Sequence, residues 1–121
     1  MRSSTPLDLG LVAGEASGDL LGAHALTALK AAHPGLTASG IAGPRLVEAG
    51  ATALYPSDKL AVNGYLEVLA HLPELLWIRR RIGDRMLAAR PRVFMGIDAP
   101  DFNFGLEARL KAAGIPAVHF V

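Results

Sequence analysis

Val93-Phe94-Met95-Gly96-Ile97-Asp98-Ala99-Pro100-Asp101-Phe102-Asn103 decides the fold. Its uncharged apolar run ends abruptly in two carboxylates and an amide, with Pro100 between the carboxylates. Bounded by Pro91 and Pro100, the run reads as a strand buried on both faces, which is the habit of parallel sheets covered by helices. Ligands of open parallel sheets bind beyond the carboxyl ends of the strands. Asp98 stands at such an end, where a charge must be solvated, paired or functional.

The rest of the chain falls into the same rhythm. Leu9–Ala13 reads as a first buried strand, 14–19 as a turn and 20–32 as a helix stopped by His33-Pro34-Gly35. Residues 36–42 read as a second strand, and Pro44 opens a short helix that Gly50 closes. Residues 51–55 read as a third strand, and 57–64 as irregular or a short helical turn. Residues 65–89 read as two helices broken near Pro73, and Arg92 to Ile97 as the fourth strand. Residues 102–113 read as a helix with Phe102, Leu106, Leu110 and Ala113 on one side, ended by Gly114. Residues 115–121 read as a fifth strand. Strands alternating with helices through short loops predict an α/β fold, a Rossmann-like open parallel sheet with helices on both faces. A chain ending on an apolar strand suggests part of a longer polypeptide.

With 121 residues there is room for one domain with a real core. Hydrophobic residues make up 51% and mean hydropathy is +0.33, so either the core is large or some surface is apolar. The net charge of +1 gives no general attraction for nucleic acid. Six of the twelve Lys and Arg nevertheless fall between Arg79 and Arg92, with Asp84 the only acid among them. There is no cysteine, hence no disulfide framework or thiolate metal site, which fits a reducing compartment. No apolar run approaches the ~18 residues of a membrane span, and the N-terminal residues lack the apolar core of a signal peptide. A soluble or peripheral protein is expected.

Gly14, Gly18 and Gly22 recur at the first strand–helix junction. This is neither the dinucleotide fingerprint nor a P-loop. Gly22 reads as close helix-on-sheet packing, and Gly14 and Gly18 either as packing or as backbone approach to a ligand. Glu15 and Asp19 disfavour an anion there and suit hydroxyl partners, or else complement the helix start. Ser17 follows no G-x-S-x-G elbow, which argues against a serine hydrolase. Asp101 reads as a cap for the helix from Phe102 or as a ligand contact. Asn103 either orients a ligand or satisfies the helix start. Asp98 is the candidate general base, or else a solvated strand end. The four histidines show no metal-ligand spacing, so neither metal nor another cofactor is expected.

In 65–78 the residues Tyr65, Leu66, Val68, Leu69, Leu72, Leu75, Leu76 and Trp77 spread over a wide arc at ~100° per residue, and Glu67, His71 and Glu74 leave a narrow polar stripe. Arg79, Arg80 and Arg81 follow. A membrane-surface or acyl-chain wall fits this excess, and so does a helix pair buried under a domain interface.

Four segments, Leu11-Val12-Ala13-Gly14-Glu15-Ala16-Ser17-Gly18-Asp19, Gly40-Ile41-Ala42-Gly43-Pro44-Arg45, Ala61-Val62-Asn63-Gly64-Tyr65-Leu66-Glu67-Val68-Leu69 and Gly96-Ile97-Asp98-Ala99-Pro100-Asp101-Phe102-Asn103, resemble in order and spacing the N-terminal part of the lipid-A-disaccharide synthase family. The resemblance implies an inverting glycosyltransferase of the GT-B arrangement. Such an enzyme moves 2,3-diacylglucosamine from UDP to the 6-hydroxyl of 2,3-diacylglucosamine 1-phosphate, in lipid A biosynthesis. It implies that Asp98 is the general base; with it, Gly14, Glu15, Ser17, Gly18, Asp19, Asp101 and Asn103 are expected as the substrate-binding residues. It implies acylated substrates met at the cytoplasmic face of the inner membrane. Residues 1–121 would then be an incomplete acceptor-side domain, inactive alone, whose UDP-sugar is held by a nucleotide-binding domain beyond Val121. The competing expectations are a non-catalytic Rossmann-like binding module and a peripheral membrane adaptor.

Overall fold

The computed structural model describes residues 7–60 and 65–120, and within them the side chains of all but Tyr65, Leu66, Val68, Pro100 and Asp101. Ten elements alternate along the chain: β1 (Leu9–Ala13), α1 (Ala16–Ala32), β2 (Ala38–Ala42), α2 (Pro44–Glu48), β3 (Thr52–Pro56), a 3-10 turn (Ser57–Leu60), α3 (Tyr65–Ala89), β4 (Val93–Ile97), α4 (Pro100–Ala112) and β5 (Ala117–Phe120). The five strands form one sheet of order β3-β2-β1-β4-β5, and every pairing is parallel. This is the α/β, Rossmann-like architecture expected.

The order fixes where a site can form. From β1 the chain steps outward through β2 and β3, then crosses back to β4 on the other side of β1. Loops leaving β1 and β4 therefore diverge to opposite faces, which opens a crevice at their carboxyl ends. Gly14 and Asp98 are the first residues past those two ends.

Both central strands are buried on two faces, and alternate side chains feed two cores. Leu9, Leu11 and Ala13 of β1 join Met95 and Ile97 of β4 beneath α1, with Ala23 and Leu26 from that helix. Val12 and Phe94 point the other way, against Ile78, Ile82 and Met86 of α3 and Leu106 and Leu110 of α4. Gly96 is the close approach on that face: a Cβ there would collide with Glu107 and lie 3.0 Å from Asn103 Cγ.

Four local expectations are corrected. α1 starts at Ala16, not Leu20, because Gly18 and Gly22 pack on β4: a Cβ at Gly22 would come within 2.7 Å of Ile97 Cδ1. Tertiary contact thus overrides the weak propensity of the Gly/Ser segment. α3 runs unbroken through Pro73. The proline removes one helical donor, but Leu69 and Pro73 lie on the exposed side, where water can serve the carbonyl left over. β2 starts at Ala38, because Thr37 pairs with Asp8 instead: Asp8 N–H donates to Thr37 Oγ1 and Thr37 N–H to Asp8 Oδ2, each at 3.0 Å. α4 starts at Pro100, which suits the first helical position, and Ala99 occupies the N-cap. Asp101 therefore stands inside the first turn and is not the cap.

Candidate active site

β4 delivers Asp98 to the crevice on an unusual backbone. Asp98 has φ +51° and Ala99 φ +42°, two successive non-glycine residues in the left-handed region. Each such residue costs about 1–3 kcal/mol and persists only where its surroundings over-determine it. The restraints are visible. Asp98 N–H donates to Phe120 O of β5 at 2.9 Å, Asn103 Nδ2 donates to Asp98 O at 2.8 Å, and Ala99 O accepts from the N–H groups of Phe102 and Asn103. The half-buried Asp98 is thus anchored through its backbone, and no ion pair engages its carboxylate among the described residues.

The β1–α1 loop packs directly on this turn. A Cβ at Gly14 would fall 2.6 Å from Ala99 Cβ, and one at Gly18 would touch Asp98 Oδ2 at 3.5 Å. Both glycines are buried, so the acid lies against the first turn of α1. That turn carries N–H donors with no partner inside the helix, so the corner holds donors beside a carboxylate. Glu15, in the N-cap position, makes no capping hydrogen bond and is exposed, as is Ser17.

Asp19 behaves differently. It is 2% exposed and accepts from three backbone donors at the start of α2: Gly43 N–H (2.9 Å) and Leu46 N–H (3.1 Å) on Oδ1, and Arg45 N–H (2.8 Å) on Oδ2. A carboxylate on orphan N–H groups is the chemistry of a helix cap, here supplied from another helix. It fixes the Gly43-Pro44-Arg45 loop beside α1. Between them lies an open cleft of about 560 Å³ whose polar lining includes Glu15, Ser17, Arg45, Ser57 and Asp58. Asp98 does not line this cleft; it sits across Gly18 from it. A hollow of similar volume, lined by Asp8, His33 and Arg92 among others, opens at the amino ends of the strands, away from this chemistry.

Behind the Asp98 turn is a buried polar layer. Asn103 is fully buried; its Nδ2 serves the Asp98 carbonyl, and its Oδ1 has no hydrogen-bond partner among the described residues. One turn further along α4, Glu107 is 7% exposed and its Oε2 lies 2.8 Å from His119 Nδ1 on β5. The His119 ring also lies against Phe104, with centroids 4.7 Å apart. This pair ties α4 to the strand whose Phe120 carbonyl receives the Asp98 N–H.

The apolar arc of α3 is largely uncovered. Leu69, Leu72, Leu76 and Trp77 are 40–55% exposed, while Leu75 is half-buried. Arg81 lies over the Trp77 ring at 5.7 Å, and Arg80 is exposed. The expectations on residues 61–64 and on the side chains of Leu66, Val68 and Asp101 lie outside the described residues. Among the described residues, no helix is long and apolar enough to cross a membrane.

The fold thus gathers Gly14, Glu15, Ser17, Gly18, Asp19 and Asp98 at one edge and sets Asn103 beneath it, away from solvent. Reading the sequence missed Arg45, Ser57 and Asp58, which only the α2 loop and the 3-10 turn bring to the cleft. It also missed Glu107 and His119. The signal for Glu107 was present: it lies four residues after Asn103, on the same helix face.

A family model described as lipid-A-disaccharide synthetase matches residues 9–121. A lipid-A-disaccharide synthase of Thiobacillus denitrificans is 74% identical over 111 residues, covering 92% of this chain and 30% of that relative. One from Methylobacillus flagellatus is 58% identical over 113 residues, covering 93% of this chain and 30% of that relative. One from Chromobacterium violaceum is 56% identical over 115 residues, with coverage of 95% and 30%. The chain spans about 30% of the length of the curated relatives it matches.

Proposed function

The chain belongs to the lipid-A-disaccharide synthase family, and on that premise we propose that it forms the acceptor-side part of a glycosyltransferase. The donor is UDP-2,3-diacylglucosamine, the acceptor is 2,3-diacylglucosamine 1-phosphate, and the products are the lipid A disaccharide 1-phosphate and UDP. The donor nucleotide is held by residues outside this chain.

In the proposed reaction the acceptor's 6-hydroxyl is the nucleophile. A primary alcohol reacts slowly near neutral pH unless its proton leaves as it attacks. A carboxylate at ~2.6–3.2 Å from the hydroxyl can take it. Asp98 fills that role. The acceptor oxygen bonds to the anomeric carbon, the bond from that carbon to UDP breaks, and UDP departs with the electron pair. Attack opposite the leaving group inverts the carbon, so one base suffices. Glu15 and Ser17 present oxygens to the acceptor's hydroxyls. The exposed apolar side of α3 meets acyl chains or the membrane surface from which such substrates come, which makes the enzyme peripheral.

The observation that carries this reading is Asp98 itself, held in a strained, cross-tied turn at the switch point with its carboxylate against α1. A chimera tests it, in which this chain replaces the matched segment of the Thiobacillus denitrificans relative. Given both substrates, the chimera is expected to form the disaccharide and UDP, while the chain by itself releases no UDP. A soluble, folded chimera that forms no product overturns the proposal.

A further inference from the structure

A buried carboxylate that the proposed reaction does not use lies behind the Asp98 turn. Glu107 of α4 is 7% exposed, and its Oε2 lies 2.8 Å from His119 Nδ1 on β5. An ionised carboxylate only accepts, so Nδ1 is the ring position that bears the proton and donates it to Glu107. β4 makes room for the pair. Gly96 is the register partner of His119, and a Cβ at Gly96 would collide with Glu107 Oε2. Glycine inside a strand weakens it and marks a place where another group must come close.

Traced from Asp98, the contacts lead back to Asp98. Its carbonyl accepts from Asn103 Nδ2 at 2.8 Å, and Glu107 follows Asn103 by one turn of α4. Glu107 accepts from His119, His119 precedes Phe120 on β5, and the Phe120 carbonyl accepts from Asp98 N–H at 2.9 Å. The circuit grips both backbone polar groups of a residue held at φ +51°. Its Glu107–His119 link is the side-chain hydrogen bond that joins the helix on one side of the turn to the strand on the other.

Stability alone does not account for such a pair. Taking a carboxylate out of water is expensive, and apolar residues of similar volume often serve a fold as well or better. The same layer leaves Asn103 Oδ1 without a hydrogen-bond partner among the described residues. A bare strand position, a buried carboxylate and an unpartnered amide oxygen thus surround one turn, and what they have in common is the backbone of Asp98. We propose that Glu107 and His119 are positioning residues for Asp98: their hydrogen bond locks α4 to β5 and so fixes the direction of the carboxylate that receives the acceptor's proton. The proposal rests on the reading of Asp98 as the general base and adds to it the device that aims that base. Both residues act through the backbone of Asp98 and not on the substrate.

Kinetics and thermal melting of the chimera test it. The paired replacement Glu107→Leu with His119→Phe removes the hydrogen bond and fills its space with apolar groups. Its thermal midpoint is expected to stay near that of the unaltered chimera, because neither partner is left unpaired. Its kcat is expected to fall about tenfold with acceptor KM held within about twofold, since a misplacement of ~1 Å can cost ~10²-fold and this one is smaller. Glu107→Gln still offers an oxygen to Nδ1–H and should recover most of that kcat. In the Asp98→Asn chimera the paired replacement should cost nothing further, because its effect passes through the carboxylate. An unchanged kcat in the folded paired replacement overturns the proposal and leaves the pair as packing. A Glu107→Gln form as slow as the paired replacement overturns it too, because the hydrogen bond is then not what matters. A full tenfold loss in the Asp98→Asn background overturns it while leaving the general base intact. Near-normal turnover of Asp98→Asn overturns the general base and the proposal together. If the paired replacement does not fold, His119→Phe alone is read in the same way: a lower kcat at constant KM supports the proposal and an unchanged kcat overturns it.

Discussion

Asn103, fully buried behind the sheet's carboxyl edge, donates its side-chain amide to the backbone carbonyl of Asp98 at 2.8 Å, while Asp98 holds φ +51°. The residue that presents the carboxylate and the residue that fixes its backbone are thus different, and only the first is open to solvent. Replacing Asn103 by Leu removes the bond and leaves the Asp98 carbonyl without it. A loss of about 1–3 kcal/mol in urea unfolding is expected. In the chimera kcat should fall as well, because the turn that aims the carboxylate relaxes.

Asp98→Gly separates strain from chemistry. Glycine adopts positive φ at little cost but loses more entropy on folding, so the net gain is about 1 kcal/mol of stability. The thermal midpoint should rise while the chimera loses transfer activity. A lower midpoint would show that the Asp98 side chain stabilises the turn more than its backbone strains it.

Asp19→Ala should be costly, because its carboxylate serves a helix other than its own. Three backbone donors at the start of α2 lose their acceptor together. Removing this buried, charge-assisted set costs about 3 kcal/mol, read as a shift in the urea midpoint. Hydrogen exchange should rise first at the amides of Gly43, Arg45 and Leu46.

Asp84 provides the pH-dependent signal. The hydrogen bond from Arg109 holds its carboxyl below the ordinary aspartate value, against a smaller opposing effect of desolvation and with further help from the charges of Arg109, Arg80 and Arg81. A depressed carboxyl contributes stability above its unfolded value, and that contribution is lost as pH falls through the folded value. Asp84 is solvent-exposed, so the measurable quantity is the NMR titration midpoint of the carboxyl, not stability. It should lie below the ordinary value, near 3.9, and move upward in Arg109→Gln.

Much of this was legible in the chain because buried parallel strands write themselves as short uncharged runs. Leu9–Ala13 has the expected bounds, the fourth strand starts at Val93, one residue later than expected, and alternation with helices made the sheet legible as parallel, although not the order of its strands. Asp98 was legible for the same reason: a charge directly after such a run stands out. What failed was local punctuation. Pro73 and the Gly/Ser content before Leu20 read as breaks, yet solvent on one side of α3 and packing of Gly18 and Gly22 on β4 override them. The partnership of Asp19 with α2 spans more than twenty residues, and that of Glu107 with His119 joins a helix to the next strand. Neither has a periodic signature, because only the tertiary fold brings the groups together. The arginines of α3 were visible as a cluster, but Arg109 of α4 joins them only through helix packing.

The central claim is that the Asp98 carboxylate removes the proton from the attacking hydroxyl. The most direct measurement is kcat of the Asp98→Asn form of the chimera, with acceptor KM and the thermal midpoint determined alongside. Asparagine keeps the size and tolerates the left-handed backbone but cannot take the proton. The account predicts a fall of about 10²–10⁴-fold in kcat, with KM and stability nearly unchanged. Turnover within a few-fold of the unaltered chimera would contradict it and leave Asp98 as a solvated strand end.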